Sequence, residues 1–137
     1  MQRLMIRMMN LIGACVACLA CLTAGAQTPI EEPSAADWNG IWLAQGTLFS
    51  VAVNAGNSEF RVEEVQSLGF LWTSEPGSVN ADLATFQVTY AGATATLQAQ
   101  LTGDDVAVVE AINCVPEYMV VCALAKGQTA LFIRQGE

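Results

Sequence analysis

Thr94-Ala95-Thr96-Leu97-Gln98-Ala99-Gln100-Leu101 alternates without a break: Ala95, Leu97, Ala99 and Leu101 share one parity, and Thr94, Thr96, Gln98 and Gln100 share the other. A helix would scatter these apolar side chains around its axis, whereas an extended chain gathers all four on one face. The stretch is a half-buried β-strand. Upstream, Ala84, Phe86, Val88 and Tyr90 repeat the pattern against Thr85, Gln87 and Thr89, and Ala91-Gly92-Ala93 connects the two segments. Downstream, Thr102-Gly103-Asp104-Asp105 has turn composition and leads into a strand over Val106 to Ile112. Tyr118 to Leu124 reads as a further strand, Lys126-Gly127-Gln128 as a turn, and Thr129 to Arg134 as the closing strand.

The first half carries the same period. Phe49, Val51 and Val53 alternate with Leu48, Ser50 and Ala52 over Thr47 to Asn54, and Asn54-Ala55-Gly56-Asn57 supplies a turn. Phe60 and Val62 continue, then Glu63-Glu64 shifts the parity before Val65, the mark of a bulge or a strand end. Gly69-Phe70-Leu71-Trp72 is apolar on both faces, which suits deep burial or an exposed patch. Glu75-Pro76-Gly77-Ser78 reads as a turn, and a short turn of helix fits around Asn80 to Leu83. About eight or nine short strands at hairpin spacing predict an all-β fold, a single antiparallel up-and-down barrel or else a sandwich.

Ahead of these strands stands Trp38-Asn39-Gly40-Ile41-Trp42. If extended, it puts both indoles and Gly40 on one face, a broad apolar patch with a notch for a neighbouring backbone or ring. Gly40-Ile41-Trp42 resembles the Gly-x-Trp signature on the first strand of lipocalins and their calycin relatives. The resemblance implies an up-and-down barrel of a kind that often binds small apolar molecules. It also implies an arginine from near the chain's end packed across the tryptophan at the closed end, and Arg134 stands where that residue is needed. Such a cation–π contact contributes ~0.5–2 kcal/mol and would tie the first strand to the last.

Residues 1–26 have the marks of a secretory signal peptide: Arg3 and Arg7 without acids, an apolar run from Leu11 to Thr23, and Ala24-Gly25-Ala26 before a cut at Gln27. The apolar run is short for a membrane span, so no stable insertion is expected after cleavage. Ala20-Cys21 offers the alternative of lipid anchoring through Cys21. Residues 27–37, with Pro29, Glu31, Glu32, Pro33 and Ser34, read as a flexible tether, leaving 38–137 as the barrel domain. The expected compartment is the periplasm or the exterior. There, Cys114 and Cys122 are expected to form a disulfide, on the order of 2–3 kcal/mol for so short a loop.

Once the leader is removed, three basic residues (Arg61, Lys126 and Arg134) face 13 acidic ones, a balance of −10. Nucleic acid and anionic headgroups would repel such a chain. The chain has no histidine, which removes the usual bases and ligands of hydrolytic and metal sites, so no metal, cofactor or catalytic residue is expected. A carboxylate enzyme would need acids from different strands, such as Glu63 and Glu110, to converge. Glu110 lies in an inward row if Val106, Val108 and Ile112 are buried, and in solvent if Ala107, Val109 and Ala111 are.

Trp38, Trp42, Phe70, Trp72 and Tyr90 are the candidates to line a ligand cavity, with a filled core as the alternative. The expected function is that of a non-catalytic binding module, for a small apolar ligand or an envelope protein. Tyr118-Met119-Val120-Val121 beside the disulfide is a candidate docking edge. The alternative is an inhibitor-like or envelope-accessory protein working through a loop that Cys114–Cys122 stiffens.

Overall fold

A computed structural model of the chain describes residues 31–66, 69 and 71–136, so the signal-peptide reading, Cys21 and Phe70 lie outside the described residues. The alternating segments form eight strands: β1 (Gly40–Ala44), β2 (Ser50–Gly56), β3 (Glu59–Gln66), β4 (Trp72–Asn80), β5 (Leu83–Tyr90), β6 (Ala93–Gly103), β7 (Val106–Val115) and β8 (Thr129–Arg134). Each pairs antiparallel with the next, and β8 returns to β1 through Trp42↔Arg134, Leu43↔Ile133 and Ala44↔Phe132. The sheet is a closed up-and-down barrel, not a sandwich, and closure leaves no strand without a neighbour on each side.

A meander of this order puts the β1–β2, β3–β4, β5–β6 and β7–β8 connections at one end, here called the mouth. The other end, the base, holds three two-residue turns: Asn57-Ser58, Ala81-Asp82 and Asp104-Asp105. At the first of these both residues have positive φ (49° and 68°), the backbone of a tight hairpin whose twist matches its strands. The chain enters the barrel at the base through a 3-10 turn over Ala35–Trp38, which contains the last residues of the stretch read as a tether. Asp37 holds that turn by accepting hydrogen bonds from the Ser34 amide (2.6 Å) and hydroxyl (3.1 Å).

The structure revises several local expectations. Tyr118 to Leu124 is not a strand: α1 (Val120–Ala125) occupies most of it. Its apolar residues do not alternate, and Val121, Cys122 and Ala125, spaced for a helix, are the less exposed ones. Glu75–Ser78 is not a turn but a bulge within β4, which shifts register against β5 between Glu75 and Ser78. Asn80 to Leu83 holds a hairpin turn, with Ala81 at φ 53°, and no helix. The turn expected at Asn54–Asn57 falls later, because β2 runs on to Gly56. The parity break near Glu63-Glu64 is real: Ser50 pairs with Gln66 and Val51 with Glu64, which leaves Val65 as the extra residue.

The bulge in β4 depends on one residue. A Cβ at Gly77 would lie 2.1 Å from the Thr85 carbonyl oxygen and 2.6 Å from Phe86 Cβ, both in the paired strand β5. Neither can withdraw without breaking the ladder. Gly77→Ala should therefore destabilise the barrel by about 3 kcal/mol, in the range of core overpacking. Urea unfolding read by tryptophan fluorescence checks this, and an unchanged midpoint would show that β4 can shift to make room.

Candidate functional site

The base of the barrel is sealed by aromatic rings. Trp38 and Trp42 are almost fully buried, with ring centroids 6.1 Å apart, and Trp38 meets Phe60 edge-on at 5.2 Å. Phe60 in turn lies 5.3 Å from Phe86. Both indole N–H groups are satisfied: Trp38 Nε1 donates to the Ala81 carbonyl (2.9 Å) and Trp42 Nε1 to the Trp38 carbonyl (2.8 Å). The Asn39 side chain accepts the Ala55 N–H at 2.6 Å and pins the entering chain to β2.

Arg134 lies outside this plug. Its guanidinium carbon is 4.9 Å from the centroid of the Trp42 ring. The same group donates to the backbone carbonyls of Asp37, Asn39 (3.3 Å) and Asp104 (2.9 Å). Its Nε lies 3.3 Å from Asp105 Oδ1, close enough for an ion pair though not aligned as a hydrogen bond. One side chain thus joins the entry turn, β1, β8 and the β6–β7 turn.

A second group of rings fills the mouth half, where Phe49 makes edge-on contacts with Trp72 (5.7 Å) and Phe132 (6.3 Å). Between the two groups a cavity of about 80 Å³ remains. Trp38, Trp42 and Trp72, three of the candidates named from the sequence, line it. Tyr90, opposite Trp72 in register, sits half-buried at the rim and does not line it. Phe49, Phe60, Phe86 and Phe132 do, although the sequence reading did not select them. Their signal was present in the inward parity of Phe49, Phe60 and Phe86 with their valine and alanine neighbours.

The acids divide unevenly. Glu31, Glu32, Asp37, Glu59, Asp82, Asp104 and Asp105 cluster at the base, against Arg61 and Arg134, and several of them border a cleft of about 480 Å³. The mouth connections carry Glu117 and Lys126. Glu64 points inward near the mouth beside Val51, and its Oε2 is buried without a hydrogen-bond partner. Glu110 is exposed, while Ala107 is buried and Val109 partly so, which decides between the two faces considered for β7. Glu63 is likewise exposed, on β3, across the barrel from β7; these two acids do not converge. Among the described residues no group of three or more histidine, cysteine or acidic side chains is placed to hold a metal ion.

What the mouth has in place of charge is exposed apolar surface. Leu48, Leu71, Tyr118, Val120 and Leu124 are each 72–85% exposed, and all five lie in its connections. The β7–β8 connection supplies three of them. The Cys114–Cys122 disulfide (Cα–Cα 5.4 Å) holds that connection by joining β7 to α1. Beside the bridge a groove of about 400 Å³ runs between β7 and α1, lined by Ile112, Cys114, Glu117, Cys122, Ala123 and Lys126 among others. The most exposed of the large apolar side chains are thus concentrated at one pole of the barrel.

No protein-family model matches this chain, and no curated protein matches it in sequence. Among solved structures, its fold is similar to the crystal structure of Treponema pallidum Tp0751 (pallilysin), with a TM-score of 0.47 and 10% identity over 77% of this chain and 85% of that one. The likeness is weak and assigns neither activity nor partner. Among the described residues no helix is long and apolar enough to cross a membrane.

Closure through Arg134 gives a direct expectation. Arg134→Ala should lower the unfolding free energy by about 2 kcal/mol, since it removes a stacked cation and its hydrogen bonds to three backbone carbonyls. Arg134→Lys should recover less than half of that, because an ammonium cannot reproduce the planar fork. Denaturant titration of the three proteins is the check. A loss under about 1 kcal/mol for Arg134→Ala would show that strand pairing alone closes the barrel.

Proposed function

We propose that this protein is an exported, non-catalytic binding module of calycin-like construction that docks a protein partner through the mouth of its barrel. The observation that carries the reading is the size of the interior. A cavity of about 80 Å³ is well below the ~300 Å³ or more of a small-molecule pocket, so the aromatic rings serve as core. With the inside filled, binding falls to the outer surface, where the apolar residues of the mouth stand in water. The separation of Glu63 from Glu110 supports the non-catalytic part of the reading. The stacking of Arg134 on Trp42 supports the calycin-like part, though the same contact closes the barrel whatever its ancestry.

The alternative of an inhibitor-like loop draws on the same region, since Tyr118, Val120 and Leu124 lie on the connection that the disulfide shapes. Whether the partner is inhibited or merely held, its contact is at this pole. A photo-crosslinking amino acid placed at Tyr118 or Leu124 in cells that make the protein should trap a discrete protein adduct. The same group placed at Leu83, near the base, should not. Equal adducts from both poles, or a small molecule that co-purifies inside the barrel, would refute the reading.

A further inference from the structure

Neighbouring strands of the barrel are not joined equally. Among the described residues β3 and β4 share two register pairs, Glu59↔Ser78 and Phe60↔Gly77, the fewest between any two neighbours. On the base side the Val79 N–H adds a bond to the Ser58 carbonyl (3.2 Å). Toward the mouth the ladder stops, although β3 continues to Gln66 and β4 begins at Trp72.

Backbone alternation identifies the groups left outside it. The two-residue turn at Asn57-Ser58 makes Gly56 and Glu59 a hydrogen-bonded pair. Arg61 and Glu63 therefore bond to β2, and Val62 and Glu64 turn their backbone groups to β4. The same count along β5 from Leu83 gives Thr73 and Glu75 to the β5 ladder, so Trp72 and Ser74 face β3. Between the paired and unpaired parts of β4 lies its bulge, where Pro76 has no N–H to offer. In place of a ladder, the Ser74 hydroxyl donates to the Val62 carbonyl.

The side chains behind this seam pull in opposite directions. Val62 is buried, and Trp72 meets Phe49 edge-on, which holds the strands together. The buried Glu64 Oε2 has no hydrogen-bond partner, a cost to the closed barrel that water removes once the strands part.

We propose that the barrel contains a lateral gate between β3 and β4. Their mouth halves part about the Phe60↔Gly77 pair, with Glu64 favouring the open form and Ser74 and Trp72 as latches. Opening hydrates the Glu64 carboxylate and uncovers the rings of Trp72 and Phe49 beside the exposed Val65 and Leu71. The base stays shut, because its rings and short turns lie beyond the hinge. The gate sets how much apolar surface the mouth presents, and it does not rest on that surface docking a partner.

Native-state thiol labelling, read peptide by peptide with mass spectrometry, tests the gate. Val62→Cys places a thiol behind the seam, and Ala99→Cys places one on β6, which is laddered on both sides. Both positions are buried, and Ala99 borders the cavity, which has room for a sulfur. Without denaturant, a bulky thiol reagent should modify Val62→Cys at least about 100-fold faster than Ala99→Cys. Low urea should leave the first rate unchanged and raise the second, because only global unfolding exposes Ala99. Added to Val62→Cys, Ser74→Ala should speed labelling about fivefold, and Glu64→Met should slow it about tenfold. Circular dichroism verifies the fold of each variant.

Equal rates at the two positions, or equal dependence on urea, would overturn the gate. Fast labelling at Val62→Cys that neither Ser74→Ala nor Glu64→Met alters would overturn the latch and the carboxylate as the groups that control it.

Discussion

The barrel closes on one interaction, the guanidinium of Arg134 over the ring of Trp42. Eight antiparallel strands do not form a barrel merely because each pairs with the next; the first and last must also meet, from opposite ends of the domain. Three residue pairs join β1 to β8, and backbone hydrogen bonds from the Gln45 N–H to the Leu131 carbonyl and from the Gln135 N–H to the Ile41 carbonyl extend the seam at its two ends. Arg134 reinforces it by stacking on Trp42 while donating to carbonyls of the entry turn and the β6–β7 turn. The geometry suits arginine because its planar fork reaches several acceptors while one face stays on the indole. Trp42 is held in turn through its own N–H on Trp38 and the stack of rings behind it.

That closure also decides what fills the interior. The rings that seal the base and those that fill the mouth half, Phe49, Trp72 and Phe132, come close enough to leave only a small void. A wider barrel of the same topology would hold a ligand there; this one holds side chains. The outer surface then divides into two poles. Short turns and the entering chain gather carboxylates at the base, whereas the longer connections at the mouth carry leucine, valine and tyrosine into solvent. Charge thus lies mostly at one pole, and the most exposed apolar side chains at the other.

The disulfide lies at the mouth. It closes a short loop, so its stabilising effect is modest, but it joins a strand to a six-residue helix that is too short to persist alone. The bridge and the packing of Cys122 hold α1 in place and set the groove beside β7. The longest connection of the barrel thereby becomes a shaped surface.

Much of this was legible in the residues alone. Unbroken alternation from Ala95 to Leu101, repeated in its neighbours, required extended chain with one buried face, and the short turns required a meander. The pairing of Arg134 with Trp42 followed from a resemblance and took its geometry from the fold. What the residues could not specify was settled by neighbours distant in sequence. Tyr118 to Leu124 is apolar on both faces, a pattern compatible with strand or helix, and its tether to β7 and the contacts of Cys122 made it a helix. Pro76-Gly77 has turn composition, yet the close approach of β5 turned it into a bulge. Whether the tryptophans enclosed a ligand or one another depended on the barrel's radius, a property of strand number and stagger that no single segment carries. Local periodicity is written in each strand, because side chains alternate wherever the backbone is extended. Interior volume and the placing of exposed apolar groups at one pole belong to the closed barrel, because they exist only once β8 has met β1.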